Sequence, residues 1–248
     1  MNKVIILAAG KGKRMNSDIP KVLSPINGRP MIEYLINSVI KSKVDLPPIV
    51  VVSPDNHKLI SESLNNYDIQ YAIQTEQLGT GHAVLSAKEL IEDNVENIIV
   101  LYGDHPFYKE SSINRLIENH KSEVSMMTVN VNDFEDWRKN FYYWGRIIKN
   151  GNEIKEIIEF KDAGDSIKEI KDVNPALFCF NKKWLFENII NLKNNNNQSE
   201  YYLTDLIKIA FNQKIVIGFS QVEPEEAVGV NSPEELEVAR SLADKFIF

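Results

Sequence analysis

The 248 residues carry 28 Lys and Arg against 35 Asp and Glu, a formal net charge of -7, and 43% of them are hydrophobic. That balance suits a globular chain with a substantial core and argues against general affinity for nucleic acid or an anionic membrane surface. A single cysteine leaves no internal disulfide or cysteine-only metal cluster. Without a run of about 18 apolar residues or a signal h-region, the chain is expected in the cytoplasm.

In chain order, VIILAA (4–9) reads as a continuous apolar strand. PMIEYLINSVIKS (30–42) opens on proline and repeats its apolar residues at helical spacing. IVVVS (49–53) is a second strand, NHKLISESLN (56–65) a helix and DIQYAI (68–73) a third strand. A helix is expected from about Thr80 to Asp93, before a fourth strand in NIIVLYGD (97–104). Alternating apolar strands and amphipathic helices predict a parallel sheet with helices on both faces, whose ligands sit at the carboxyl ends of its strands.

The second half changes character. EVSMMTVNV (123–131) reads as a strand of the same sheet, and 144–160 as a hairpin turning at Asn150-Gly151. VNPALFCFNKKWLFENII (173–190) is a strand running into a helix, with Cys179 a buried strand residue. KNNNNQSE (193–200) reads as a solvent loop between two helices, and KIVIGFS (214–220) as a further strand. The last helix, 231–246, has Ser232 as N-cap candidate, proline in first position and glutamates in its first turn. No linker divides the chain.

LAAGKGKRM (7–15) sets two glycines and three cations directly behind a buried strand. It lacks the third glycine of a dinucleotide fingerprint and the ending of a Walker loop. Gly10 and Gly12 let the backbone turn and bring N–H groups against an anion. Lys11, Lys13 and Arg14 follow, with Lys21 after a proline, so a polyphosphate is the expected ligand of the loop.

LAAGKGxRM followed by PKVL resembles the signature of the sugar-1-phosphate nucleotidyltransferases, and within them the bacterial N-acetylglucosamine-1-phosphate uridylyltransferases. EQLGTGHA (76–83), LYGDHP (101–106), GRI (145–147), IIEFKDA (157–163), DVN (172–174), NNNNQSEYYLTDL (194–206) and VGVNSPEEL (228–236) follow in the same order. The resemblance implies an α/β fold: a Rossmann-like mixed, mostly parallel sheet flanked by helices, with a β-hairpin lobe for the sugar. It implies one nucleotidyltransferase domain over 1–248, with 1–110 serving the nucleotide, 111–230 mainly the sugar and 231–248 forming a C-terminal helix. The acetyltransferase β-helix of bifunctional relatives would begin near residue 248, and the trimer it mediates is not expected.

The activity implied is attack of a sugar 1-phosphate on the α-phosphorus of UTP, with Mg²⁺ as cofactor. On this resemblance Arg14 and Lys21 stabilise the transferring phosphoryl group, and Asp104 and Asn231 bind the metal. Leu7, Ala8, Ala9, Gly10, Gly12, Gln77, Gly79, Thr80 and Gly81 would hold the nucleotide. Tyr102, Gly145, Glu159, Asn174, Tyr202 and Thr204 would face the sugar. Read alone, several have ordinary alternatives: Asp104 a turn acid, Asn231 and Thr80 helix caps, Lys21 a surface lysine, Tyr102 a core residue and His82 a structural histidine.

Two stretches depart from the pattern. Asn174-Pro175-Ala176 stands where asparagine-threonine-glycine is expected, and YYW (142–144) replaces a smaller run before GRI. They leave the acceptor open, so another sugar 1-phosphate or phosphorylated alcohol, even with CTP, competes with N-acetylglucosamine 1-phosphate. A non-catalytic nucleotide-sugar sensor and a nicotinamide oxidoreductase are weaker alternatives. The cationic and metal pairs count against the first, the missing third glycine against the second.

Overall fold

The computed structural model describes residues 1–15, 17 and 19–246, and of Lys13 the backbone alone. Strand β1 (Asn2–Leu7) sends alternate side chains into two apolar layers. Val4 and Ile6 join one layer with Val50, Val52, Ile99 and Leu101. Ile5 joins the other with Ile49, Val51, Ile98 and Val100. A strand buried on both faces has no polar side to show, which is why these segments read as unbroken apolar runs.

After β1 come a small hairpin, β2 (Pro25–Ile26) and β3 (Arg29–Pro30), then α1 (Met31–Lys41), β4 (Asp45–Val52) and α2 (His57–Ser63). Next are β5 (Gln70–Ile73), α3 (Thr80–Ser86), β6 (Asn97–Tyr102), α4 (Glu110–Glu118) and β7 (Val124–Asn130). The hairpin β8 (Arg146–Asn150) and β9 (Glu153–Ile158) leads to α5 (Asp165–Lys168), β10 (Asp172–Val173), β11 (Leu177–Asn181) and α6 (Lys182–Asn188). The chain ends in α7 (Asp205–Asn212), β12 (Gly218–Gln221), α8 (Pro224–Ala227) and α9 (Pro233–Leu242).

The large sheet has the order β5-β4-β1-β6-β11-β7-β10-β8-β9, with β12 beside β7. Its β5-β4-β1-β6 block is parallel, and β11 joins antiparallel between β6 and β7. This mixed sheet spans both halves of the sequence. Helices α1, α4 and α9 cover one face, and α3, α6 and α7 the other. Cys179 lies buried in β11, where desolvation pushes its thiol pKa up, as a strand residue should.

Several boundaries differ from expectation. The helix from Thr80 stops at Ser86, and a 3-10 turn, Lys88–Leu90, follows. The strand predicted over 214–220 covers only Gly218–Gln221. Residues 214 and 215 are used instead to cap α7: Lys214, at φ +60°, donates to Phe211 O, and Ile215 N donates to Ala210 O. That pair of bonds is a Schellman motif. The β8–β9 turn residues are Gly151 and Asn152, one position beyond the expected pair, since Asn150 pairs with Glu153. Ser232 caps α9 through Glu235 N at 3.3 Å, and Ile247 and Phe248 of the predicted 231–248 unit lie outside the described residues.

Candidate functional site

The loop after β1 is held from three sides. Leu7 O accepts from Gly103 N at 2.9 Å, and Ala8 N donates to Val51 O at 2.8 Å. The buried Asn56 donates its amide to Ala8 O at 2.9 Å. Ala9 is also buried, and the chain then emerges at Gly10. Gly12 takes φ +57°, and a Cβ there would come within 2.9 Å of Lys21 Cβ. Its glycine therefore lets the loop fold over Lys21. Gly10 is different: a Cβ there would meet nothing within 4 Å, so packing gives no reason for glycine.

Asp104 and Asn231, 127 positions apart, are zippered together by the backbone between α8 and α9. Val230 N donates to Asp104 O at 2.9 Å, and His105 Nδ1 lies 2.9 Å from Ala227 O. Gly229 passes so close to the His105 ring that a Cβ would stand 2.9 Å from two ring atoms. Glu235 accepts the Asn231 N–H at 2.5 Å, fixing the turn that presents the Asn231 side chain.

Between the two side chains sits Lys21. Its ammonium is 2.5 Å from Asp104 Oδ2 and 2.8 Å from Asn231 Oδ1. Burial disfavours the charged form of Asp104, yet nearby positive charge overcomes this and holds its pKa below the ordinary value. His105 is itself buried, which lowers its pKa and leaves it neutral at pH 7, so Lys21 carries that effect. The surface-lysine and turn-acid readings both give way to one cluster.

Asp104 and Asn231 therefore present a carboxylate and an amide oxygen already gathered around a cation. Two hard oxygens of this kind, completed by phosphates and water, fit Mg²⁺. Among the described residues no group of three or more His, Cys, Asp or Glu could hold a metal alone.

Arg14 stands apart from the cluster. It lies exposed on the turn Lys13–Met15 and lines a cleft of about 780 Å³ with Glu235, Ser232, Tyr142 and Tyr143.

The EQLGTGHA segment docks on the chain before α7. Gly79, at φ +112°, would push a Cβ within 2.7 Å of Tyr201 N and O, and Gly81 N donates to Tyr201 O at 2.8 Å. Thr80 begins α3 without capping it; its hydroxyl accepts from Leu203 N at 2.9 Å. Tyr102 reaches Thr80 from the end of β6, and burial raises its pKa. Gln77 is partly buried on the loop. The neighbouring Gln74, absent from the predicted set, is buried and donates to Gly79 O at 3.1 Å while meeting His82 Nδ1 at 3.1 Å. His82, on α3, thus touches the side chain that braces this loop.

Gly145, Glu159, Asn174 and Thr204 lie together. Thr204 donates to Glu159 Oε1 at 2.9 Å, and a Cβ on Gly145 would lie 3.3 Å from Glu159 Oε2. Asn174 N donates to Gly145 O at 2.9 Å, and Asn174 Oδ1 accepts from Ala176 N at 3.0 Å. Ala176 holds φ +60°, so it keeps the left-handed backbone a glycine would favour. The Tyr108 hydroxyl donates to Pro175 O from the other side. Tyr202 is buried beside them, but its hydroxyl accepts from Gln198 at 2.8 Å. Burial raises the Glu159 carboxyl, reinforced by Asp205, Asp162 and Glu200, against the lowering effect of the Thr204 hydrogen bond.

Asn56 and Gln74 are not among the expected site residues, and Glu235 reads in the sequence only as a first-turn acid of the last helix. The only signal for the first two is a polar residue just past a buried strand.

Residues 4–201 match the MobA-like NTP transferase domain. The chain belongs to that family. It is a nucleotidyltransferase of the type that forms the N-terminal half of GlmU. It is 36% identical over 241 residues to the bifunctional protein GlmU of Clostridium botulinum strain Eklund 17B, matching 96% of this chain and 51% of that one. The chain thus spans about half the length of that relative. Its fold is shared with a Bacillus anthracis protein provisionally named a glucose-1-phosphate thymidylyltransferase, solved with a sucrose: TM-score 0.78, 19% identity, covering 100% of this chain and 97% of that one. It is shared equally with the inositol-1-phosphate CTP transferase of T. maritima, with TM-score 0.76, 19% identity, and coverage of 99% and 96%. Among the described residues no helix is long and apolar enough to cross a membrane.

Proposed function

We propose that the protein transfers the uridylyl group of UTP to a sugar 1-phosphate, N-acetylglucosamine 1-phosphate in the first instance, and releases pyrophosphate. The observation that carries this reading is the Lys21–Asp104–Asn231 cluster under a loop whose Gly12 packs on Lys21 and whose exposed Gly10, two residues earlier, has no packing reason to be glycine. A glycine without a packing reason suits a backbone that a ligand must approach closely.

The nucleophile is a phosphate oxygen, already an anion, so no strong general base is needed. The new bond forms to the α-phosphorus as the bond to pyrophosphate breaks. Catalysis of such a transfer is mainly alignment and charge stabilisation. Lys21 is placed to meet charge on the phosphates, and Arg14 faces the adjoining cleft with a guanidinium that suits pyrophosphate oxygens. Asp104 and Asn231 would hold Mg²⁺, which supplies further neutralisation of the phosphates when bound. Leu7 to Gly12 and the Gln77–Gly81 loop serve the nucleotide, with Gln74 bracing that loop. Gly145, Glu159, Asn174 and Thr204 offer acceptors and donors to sugar hydroxyls, with Tyr102 and Tyr202 as walls.

In this reading 1–110 is the nucleotide part, 111–230 mainly the acceptor part and 231–248 the closing segment of one cytoplasmic enzyme. A second reading, the same chemistry on another phosphorylated acceptor or with CTP, is favoured by Pro175, Ala176 and the aromatic run 142–144. The test is mass-spectrometric product analysis with each ribonucleoside triphosphate against a panel of sugar 1-phosphates. A UDP-sugar from N-acetylglucosamine 1-phosphate supports the first reading. Product only from another acceptor or CTP supports the second.

A further inference from the structure

Arg146 is wholly buried, and among the described residues no carboxylate lies within ion-pair distance of it. All five of its N–H donors go to backbone carbonyls. Nε and one Nη2 hydrogen reach Lys168 O at 3.0 and 2.8 Å. The other Nη2 hydrogen meets Tyr142 O at 2.8 Å. Nη1 takes Phe141 O at 3.5 Å and Trp144 O. The rings of Phe134 and Tyr142 flank the guanidinium at 5.0 and 5.6 Å.

The acceptors are not arbitrary carbonyls. Phe141 and Tyr142 belong to the last turn of the 3-10 segment Asp136–Tyr143, Trp144 is its C-cap, and Lys168 ends α5. The last carbonyls of a helix lack intrahelical partners, and burying them bare costs free energy; of these acceptors Phe141 O also takes the Trp144 N–H at 3.1 Å. One guanidinium thus closes two short helices at once and fixes both against the first residue of β8. The residue between that cap and Arg146 is Gly145, whose carbonyl receives Asn174 N and whose Cα faces Glu159.

We propose that Arg146 is a positioning residue for the acceptor: by tying the carbonyls of 141–144 to that of Lys168 it sets Gly145, and through it Asn174 and Glu159, in register to receive the phosphorylated acceptor. This rests on the transferase reading above. It separates Arg146 from the nucleotide half, since none of its contacts reaches the 7–15 loop or the 74–82 loop. Lysine cannot replace it, having three donors on one atom where five on a planar fork are used.

The test is steady-state kinetics of Arg146→Lys with acceptor and UTP varied separately. The expected result is an acceptor KM raised tenfold or more with the UTP KM within twofold of wild type. A loss that merely loosened the fold would move both. Replacing residues 165–168, of which Asp165 and Ser166 are exposed and Ile167 and Lys168 half-buried, by four glycines loosens α5 and with it the Lys168 carbonyl while leaving the sequence of Arg146 and the pocket side chains untouched, and is expected to raise the acceptor KM severalfold. This second variant decides the matter if Arg146→Lys does not fold. Equal shifts in both KM values, or no shift in the acceptor KM, overturn the assignment while wild-type turnover leaves the transferase reading intact. No turnover by the wild type with any phosphorylated acceptor overturns both.

Discussion

The ammonium of Lys21 lies 2.5 Å from Asp104 Oδ2 and at the same time 2.8 Å from Asn231 Oδ1. A lysine suited to phosphate and an acid-amide pair suited to a metal are thus one cluster. Both side chains of the ion pair are largely buried, at 14% and 13% exposure, so neither charge is well solvated without the other. Anything that changes one member changes the others.

Asp104→Asn keeps an oxygen for Lys21 but removes the charge. Turnover is expected to fall by about a thousandfold or more, the scale of losing a principal electrostatic stabiliser, with far-UV circular dichroism unchanged. Activity near wild type would remove Asp104 from the site.

Lys21→Met strands the Asp104 carboxylate, and stability is expected to drop by roughly 1–3 kcal/mol. The ammonium and Mg²⁺ would draw on the same two oxygens. Thermal melts with and without Mg²⁺ should therefore show a larger metal-induced rise in Tm for this variant than for wild type. A smaller rise would mean the metal binds elsewhere.

Glu159 has a raised folded-state pKa, chiefly from burial. The folded protein then binds its proton more tightly than the unfolded chain, so this group's contribution is fully favourable below the ordinary glutamate pKa and is lost as pH rises through the folded value. Glu159→Gln should accordingly raise Tm at pH 7 and lose that advantage in acid. Its acceptor KM should rise on the order of tenfold, the cost of a hydrogen bond to a charged acceptor. Equal melting curves at every pH would contradict the burial argument.

Two glycines make a contrast. Gly79→Ala forces a Cβ against Tyr201 backbone at positive φ and should cost at least about 1–2 kcal/mol. Gly10→Ala meets no protein atom, so stability should stay within about 0.5 kcal/mol. Its KM for UTP should nevertheless rise by roughly tenfold, equivalent to about 1.4 kcal/mol of lost approach. Unchanged UTP kinetics would leave Gly10 without a role.

Much of the parallel block was legible because strands buried on both faces, such as VIIL and IVVV, leave an unmistakable apolar run. Asp104 and Lys21 could be named from local pattern, but their contact could not. They lie 83 positions apart, and Asn231 joins them only because the 227–231 backbone crosses His105, 122 positions away along the chain at the Ala227 contact. The β2–β3 hairpin is marked in the sequence only by Asn27-Gly28, a turn signal whose two residues both take positive φ, since its strands are two residues each. Helix α4 leaves little mark in the sequence, because Glu110–Glu118 buries only Ser112, Ile113 and Leu116, too few for a clear apolar period. In the sequence Gly79 and Gly81 read as ligand contacts; the structure also gives them a packing reason, Gly79 against Tyr201 and Gly81 against Leu192 and Tyr201. Arg146 was invisible as a functional residue, since its partners are carbonyls and carbonyls leave no mark in a sequence.

The most direct measurement is pyrophosphate release from UTP with N-acetylglucosamine 1-phosphate and Mg²⁺, run on the wild-type protein beside Asp104→Asn. The account predicts release by the wild type that depends on both acceptor and metal, and none above background by the variant. Release that persists in the variant, or no release by folded wild type with any sugar 1-phosphate, would contradict nucleotidyl transfer at the Lys21–Asp104–Asn231 cluster.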